Sequence, residues 1–111
     1  MTIVQDTLRS LGITRKYRGF RYTEISIELV LEDEDRLQAV TKEVYYEAAR
    51  RCGCKWSAVE RGIRTAVQRA WRVNRGRLVE MAGYPLEEPP IASEFIEIVS
   101  NHIQRSSMPQ P

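Results

Sequence analysis

Histidine, cysteine and long apolar runs are scarce in this sequence. Its 111 residues include one histidine and two cysteines, and no apolar run approaches the roughly 18 residues that a membrane-spanning helix needs. The N-terminus lacks the basic segment and apolar stretch of a secretory signal. Cys52 and Cys54 lie too close together to staple a small secreted domain. These absences favour a cytoplasmic protein that does not enter a membrane.

Residues for catalysis or metal binding are equally scarce. Cys52 and Cys54 would supply two metal ligands without a clustered partner, because His102 lies far away near the C-terminus. The acidic run at residues 32–35 is typical of a solvated turn. No Ser-His-Asp arrangement, Gly-rich phosphate loop or facing carboxylate pair is recognisable. The sequence therefore predicts no enzyme, no metal or other cofactor, and no small-molecule substrate.

Positive charge is concentrated in the middle of the chain, although the net charge is only +2. Residues 38–78 carry 10 basic and 3 acidic side chains, residues 1–37 carry 6 and 7, and residues 79–111 carry 1 and 5. A basic segment of this kind is typical of a surface that meets a polyanion such as nucleic acid. Charge alone also allows a basic face that is merely solvated.

Hydrophobic spacing predicts an all-α fold with about six helices. Length and composition suit one compact domain at residues 1–105, with a frayed tail at residues 106–111. Residues 13–22 are expected to connect the first two helices. Residues 25–31 also alternate like a strand, but a lone strand cannot satisfy its backbone, so a helix is preferred. The expected helices cover residues 2–11, 22–31, 35–52, 57–74 and 77–82, and a last one begins near Ser93.

The most regular of these helices begins at Ser57, and Asn74 and Gly76 are expected to end it. Ser57 and Glu60 match a capping box, in which each side chain binds the other residue's backbone N–H. On the side opposite the apolar residues, five polar residues fall within roughly 100° of the helix circumference. They are of types that bind nucleic acid: Arg61, Arg64, Thr65, Gln68 and Arg72.

The preceding helix stops at a tight turn around Gly53, and this arrangement favours a helix-turn-helix. In that motif the N-terminal part of the second helix enters the major groove of DNA. Arginine can pair with guanine, and glutamate can accept from the amino group of cytosine. Glu60, Arg61 and Arg64 are therefore the candidate base-reading residues, while Glu60 could instead serve only as a cap.

Four segments resemble the C-terminal DNA-binding effector domain of stage zero sporulation protein A, the response regulator that initiates endospore formation. The most specific features are S-x-V-E-R-x-I-R with a later AW, and a distant S-E-F-I. The resemblance extends from about Leu11 to Ile103. The segments are LGITRKYRGFRY, VTKEVYYEAARRCGC, SAVERGIRTAVQRAW and SEFIEIVSNHI, with a GY pair before the last of them.

This resemblance implies an all-helical transcription regulator that binds short sites in double-stranded promoter DNA, often as tandem copies. It implies that Glu60, Arg61 and Arg64 occupy base-reading positions, and it supports a helix over residues 22–31. Further residues are implied at the DNA backbone or nearby base edges: Lys55, Ser57, Thr65 and Gln68.

Contacts between neighbouring copies are implied at the C-terminal helix, where the candidates are Phe95, Ile96 and Val99. The helix has more apolar residues than one buried face of a small core requires. All three could also belong to the core. With the acidic C-terminal third, they suggest an alternative function. In that alternative, the domain is a protein-interaction module that pairs with a full-length regulator and binds DNA weakly.

The sequence departs from the family pattern at three points. Ala58 stands where the family usually has a basic residue, so one DNA contact is expected to be missing. Trp56 is unusual at its position, and a different site preference is expected. The 111 residues leave no room for a receiver domain, so the chain is expected to be either an excised domain or a stand-alone relative that phosphorylation does not gate.

Overall fold

The computed structural model describes residues 2–107, and every regular element in that range is helical. A 3-10 helix at Glu34–Ala39 and a π-helical turn at Thr41–Tyr45 lead into the third α-helix. The all-α prediction is confirmed. The five α-helices are α1 (Ile3–Ser10), α2 (Gly19–Glu32), α3 (Tyr46–Cys52), α4 (Trp56–Ala82) and α5 (Ala92–Ser107). None of the helices described here combines the length and apolar character needed to span a membrane.

Helix α2 includes the segment whose pattern also resembled a strand. Within it, Ile25, Ser26, Ile27, Leu29 and Val30 are all buried. A helix that is covered on most sides loses the one-sided apolar pattern by which helices are recognised. The preference for a helix is confirmed, but α2 starts at Gly19, so the predicted connector is shorter than expected.

The core forms where α2, α4 and α5 pack against one another. Phe95, Ile96 and Val99 on α5 have no exposed surface. The prediction that these three side chains contact a neighbouring copy is therefore wrong, because the protein's own core covers them completely. Their burial also removes the apolar surface that suggested an interaction module. Glu97 lies on the exposed side of the same helix.

The first turn of α4 differs from the prediction. The helix begins at Trp56, and Lys55 is the N-cap residue, with an extended backbone and no side-chain cap. Ser57 is therefore already inside the helix, where it cannot cap it. The predicted Ser57–Glu60 capping box is wrong, because the chain turns into the helix earlier than the cap pattern indicated.

Helix α4 has a break at Asn74, whose backbone leaves the helical region at φ −147° and ψ 61°. The Asn74 side chain accepts a hydrogen bond from the Arg77 backbone N–H at 3.3 Å and donates one to the Ser10 carbonyl at 2.9 Å. It thereby caps the following segment and ties the break to α1. The predicted interruption at Asn74 is confirmed, whereas Gly76 does not end the helix.

Helix α5 begins at Ala92, one residue before the predicted start, and continues to Ser107. The helix thus includes residues 106 and 107 of the predicted tail. The rest of that tail, residues 108–111, lies outside the described residues.

Two glycines bring α2 and α4 into backbone contact. A Cβ atom added to Gly19 would overlap the carbonyl oxygen of Gly62, and a Cβ on Gly62 would lie 3.2 Å from the Gly19 Cα and 2.6 Å from Cδ2 of Tyr22. Only residues without a side chain permit this approach. The crossing fixes where the first turns of α4 lie relative to the core.

Candidate nucleic-acid interface

Helices α3 and α4 form a helix-turn-helix around Gly53. This glycine adopts the left-handed conformation with φ 67° and ψ 38°, which is strained for other residues. The Cys54 N–H donates to the Ala49 carbonyl at 3.0 Å and closes the turn. Ala49 on α3 and Val59 on α4 are buried, so the two helices are held together by apolar contact. The predicted helix-turn-helix is confirmed.

The predicted polar face of α4 forms one continuous surface. Arg61, Arg64, Thr65, Gln68 and Arg72 are all exposed, and together they line a shallow groove along the helix. The Thr65 hydroxyl donates to the Arg61 carbonyl at 3.1 Å, so its donor is already used. This surface offers guanidinium and amide groups suited to base edges and phosphates.

Glu60 and Arg64 form an ion pair, with Arg64 Nε 2.7 Å from Glu60 Oε2. The pair replaces the predicted capping role of Glu60 and holds both side chains along the same side of α4. No described ion pair includes Arg61. Arg61 therefore keeps its full positive charge near the start of the helix.

Lys55 and Ser57 lie at the start of α4, in a second groove that Tyr46, Arg50 and Trp56 complete. Lys55 is exposed, and the ion pairs found among residues 2–107 do not include it. Residues of both helices of the motif line this groove, and in helix-turn-helix complexes the first helix crosses the DNA backbone. The structure thus separates Lys55 and Ser57 from the groove that contains Arg61.

Glu47 on α3 partly neutralises the basic residues beside this second groove. Its carboxylate accepts from Arg50 at 2.6 Å and from Arg51 at 3.1 Å. These hydrogen bonds lower the pKa of Glu47 to about 2, so the carboxylate stays ionised at neutral pH. The three side chains together carry one positive charge instead of two.

Two further arginines of α4 serve the fold. Arg69 donates from Nε to the Gly12 carbonyl at 3.2 Å and lies over the ring of Tyr17 at 5.1 Å. Arg75 lies over the ring of Trp71 at 4.0 Å. A count of charges along the chain does not distinguish these arginines from Arg61, because the distinction depends on which groups lie beside each guanidinium.

Sequence reasoning missed that the loop after α4 lies beside the predicted base-reading residues. Glu88 and Ile91 of this loop line a cleft together with Glu60, Arg64 and Gln68 on α4. The acidic pair at residues 87 and 88 was visible in the sequence, but its position against α4 was not. A carboxylate in this cleft opposes the approach of a phosphate.

We therefore expect Glu88→Gln to tighten binding to every DNA duplex by about twofold to fivefold, because it removes a repulsive charge near the phosphates. Fluorescence anisotropy titrations at two salt concentrations would measure this gain, which should shrink at higher salt. Glu34→Gln removes an exposed carboxylate from the 3-10 helix and is the matched control. A Glu88→Gln protein that binds like the control would contradict the expectation.

Neither cysteine forms a disulfide among the residues that the structure describes. Cys52 and Cys54 are half-buried and free. Burial raises the pKa of the Cys52 thiol, and a protonated thiol is a poor nucleophile. Among residues 2–107, no cluster of three His, Cys, Asp or Glu side chains is placed to hold a metal ion.

A helix-turn-helix that exposes a basic face on its second helix defines the class of DNA-binding regulatory domains. The family described as "Sporulation initiation factor Spo0A C terminal" matches residues 4–103 of this chain. The chain belongs to this family, and the resemblance recognised from its sequence segments is confirmed. The family is that of a DNA-binding effector domain of the sporulation regulator, a kind of domain that serves transcription regulation.

Proposed function

We propose that this domain is a sequence-specific transcription regulator that works in the cytoplasm and reads promoter DNA through the first turns of α4. The observation that carries the proposal is the exposed polar surface of α4, which begins directly after the Gly53 turn and faces away from the core. The second helix is the element that enters the major groove in helix-turn-helix complexes. Residues 1–105 act as one functional unit in this proposal.

Each polar residue has a proposed role that follows from its chemistry. Arg61 and Arg64 each donate two hydrogen bonds to a guanine, and Glu60 accepts from a cytosine amino group. The Glu60–Arg64 ion pair presents both groups to neighbouring base pairs. Lys55 and Ser57 bind phosphates at the start of the helix, and Thr65 and Gln68 contact the backbone or nearby base edges.

The test is a fluorescence anisotropy titration with two duplexes of equal length. One carries the promoter site bound by this family and the other a scrambled sequence. We expect the family site to be bound about a thousandfold more tightly at physiological salt, the lower end of the range typical of specific DNA recognition. Equal affinity for both duplexes would contradict sequence-specific reading, and no binding to either would contradict the function altogether.

Lys55→Ala is expected to weaken binding to both duplexes alike. Lysine binds a phosphate as a point charge, so its loss removes one released counterion and lowers the slope of log K against log salt by about one. Titrations at several salt concentrations measure this slope. Arg9→Ala removes an exposed charge from α1 and should leave the slope unchanged. If Lys55→Ala leaves it unchanged too, Lys55 does not contact DNA.

We further propose that copies bound at tandem sites contact each other through the exposed polar side of α5, which includes Glu97 and Arg105. The burial of Phe95, Ile96 and Val99 leaves charge pairing as the means of contact. Tandem sites raise the effective concentration of the second copy, so even a modest contact increases occupancy. The free protein can remain monomeric under this proposal.

Glu97→Lys is expected to reduce cooperative filling of two sites without changing the affinity for one. A like charge at the contact repels the neighbouring copy, and the loss should be a few-fold at low salt. Gel-shift titrations would measure how wild type and the variant fill a duplex with one site and a duplex with two sites. The two sites are separated as in natural promoters. Non-cooperative filling by wild type, or identical behaviour of the variant, would contradict the contact.

A further inference from the structure

Two exposed aromatic side chains stack on each other at the start of the predicted DNA-reading helix. Trp56 is the first residue of α4 and Tyr46 is the first residue of α3. Their ring centroids lie 5.9 Å apart with an interplanar angle of 29°. Trp56 is 38% exposed and Tyr46 53% exposed. The two rings therefore present adjacent aromatic surface to solvent at the start of α4.

The position of this Tyr46–Trp56 pair relates it to DNA. Trp56 precedes Glu60 by four residues, so both lie on one stripe of α4, a single helical turn apart. The same groove contains Lys55 and Ser57. A DNA strand whose bases are read at Glu60 and Arg61 must continue past the start of the helix, where the aromatic rings are exposed.

We propose that the Tyr46–Trp56 pair binds the sugar–phosphate backbone of one DNA strand at the edge of the recognised site. The indole ring packs against a deoxyribose, the Tyr46 hydroxyl donates to a phosphate oxygen, and Lys55 supplies the positive charge beside them. Arg50 also lines the groove, but its ion pair with Glu47 leaves Lys55 as the less compensated cation. This inference rests on the proposed function and extends its contact surface.

Because the contact involves sugar and phosphate, Trp56→Ala should weaken binding about fivefold to tenfold on the family site and on the scrambled duplex alike. The slope of log K against log salt should stay unchanged, because no charge is lost. Tyr46→Ala should act in the same direction. Tyr84→Ala, which alters an exposed tyrosine beyond the opposite end of α4, is the matched control and should bind like wild type.

Tryptophan emission gives a second readout that does not depend on the stability of an alanine variant. In Trp71→Phe, the emission reports Trp56 alone, and it should change when either duplex is added. In Trp56→Phe, the emission of Trp71 should not change. Circular dichroism melting of each variant establishes that the compared proteins are folded.

The outcomes separate this inference from the proposed function. If wild type binds but Trp56→Ala and Tyr46→Ala bind equally well and the Trp56 emission is constant, the aromatic contact does not exist while the function stands. A loss that is confined to the family site, and that vanishes when deoxyuridine replaces thymine, would assign Trp56 to a thymine methyl group and overturn the backbone contact. Failure of wild type to bind either duplex would overturn the proposed function.

Discussion

Gly19→Ala is expected to lower the free energy of unfolding by about 3 kcal/mol, which is the upper part of the usual range for overpacking a tightly packed site. The added methyl group overlaps the carbonyl oxygen of Gly62, and a backbone atom cannot rotate away as a side chain can. Helices α2 and α4 would have to separate, and the core between them would open. Urea denaturation followed by circular dichroism at 222 nm measures the loss.

Gly76→Ala is the matched control for this experiment. Gly76 lies in the last segment of α4, and a Cβ at this position meets no atom within 4 Å. Alanine should therefore stabilise the protein by about 0.5 to 1 kcal/mol, because it restricts the unfolded chain and favours the helix. Equal denaturation midpoints for Gly19→Ala and wild type would show that α2 and α4 do not need direct backbone contact.

Arg61→Ala is expected to weaken binding to the cognate site by about 1 to 3 kcal/mol and to relax selectivity at one base pair. The side chain is exposed near the start of α4 and is absent from every ion pair of the described residues. Its removal therefore costs little stability. Anisotropy titrations against duplexes with single base-pair changes identify the position whose preference is lost.

Arg75→Ala removes the same charge from the same helix and serves as the control. Arg75 follows the break at Asn74, and its guanidinium lies over the ring of Trp71. Its loss should therefore not alter which base pair is preferred. Arg61→Lys keeps the charge but not the paired hydrogen bonds, and should lose selectivity as well. If Arg61→Ala loses affinity equally on cognate and scrambled DNA, Arg61 binds a phosphate and reads no base.

The predicted C-terminal contact shows how a correct pattern can lead to a wrong role. The apolar spacing of Phe95, Ile96 and Val99 correctly predicted an amphipathic helix, and the structure contains it as α5. Spacing specifies which residues share a side of a helix, but not what covers that side. Helices α2 and α4 cover it here, so only the polar side that includes Glu97 remains for a partner.

The first turn of α4 shows that a short sequence pattern does not always predict where a helix begins. Ser57 and Glu60 had the right residue types and spacing for a capping box, yet the helix begins at Trp56 and Glu60 pairs with Arg64. The Glu60 carboxylate has a partner both in a capping box and in the ion pair with Arg64. The free energies of these two arrangements differ by about a kcal/mol or less. A difference of that size depends on the surrounding tertiary structure, which a short sequence pattern does not include.

The all-α class, the helix-turn-helix at Gly53 and the basic side of α4 could be derived from residue spacing, because helical periodicity and turn preference are local properties. The Gly19–Gly62 crossing, the Tyr46–Trp56 pair and the position of Glu88 beside Arg64 could not. Each joins residues from different elements of the fold. Such juxtapositions follow from how the helices pack around a shared core, which local residue spacing does not specify.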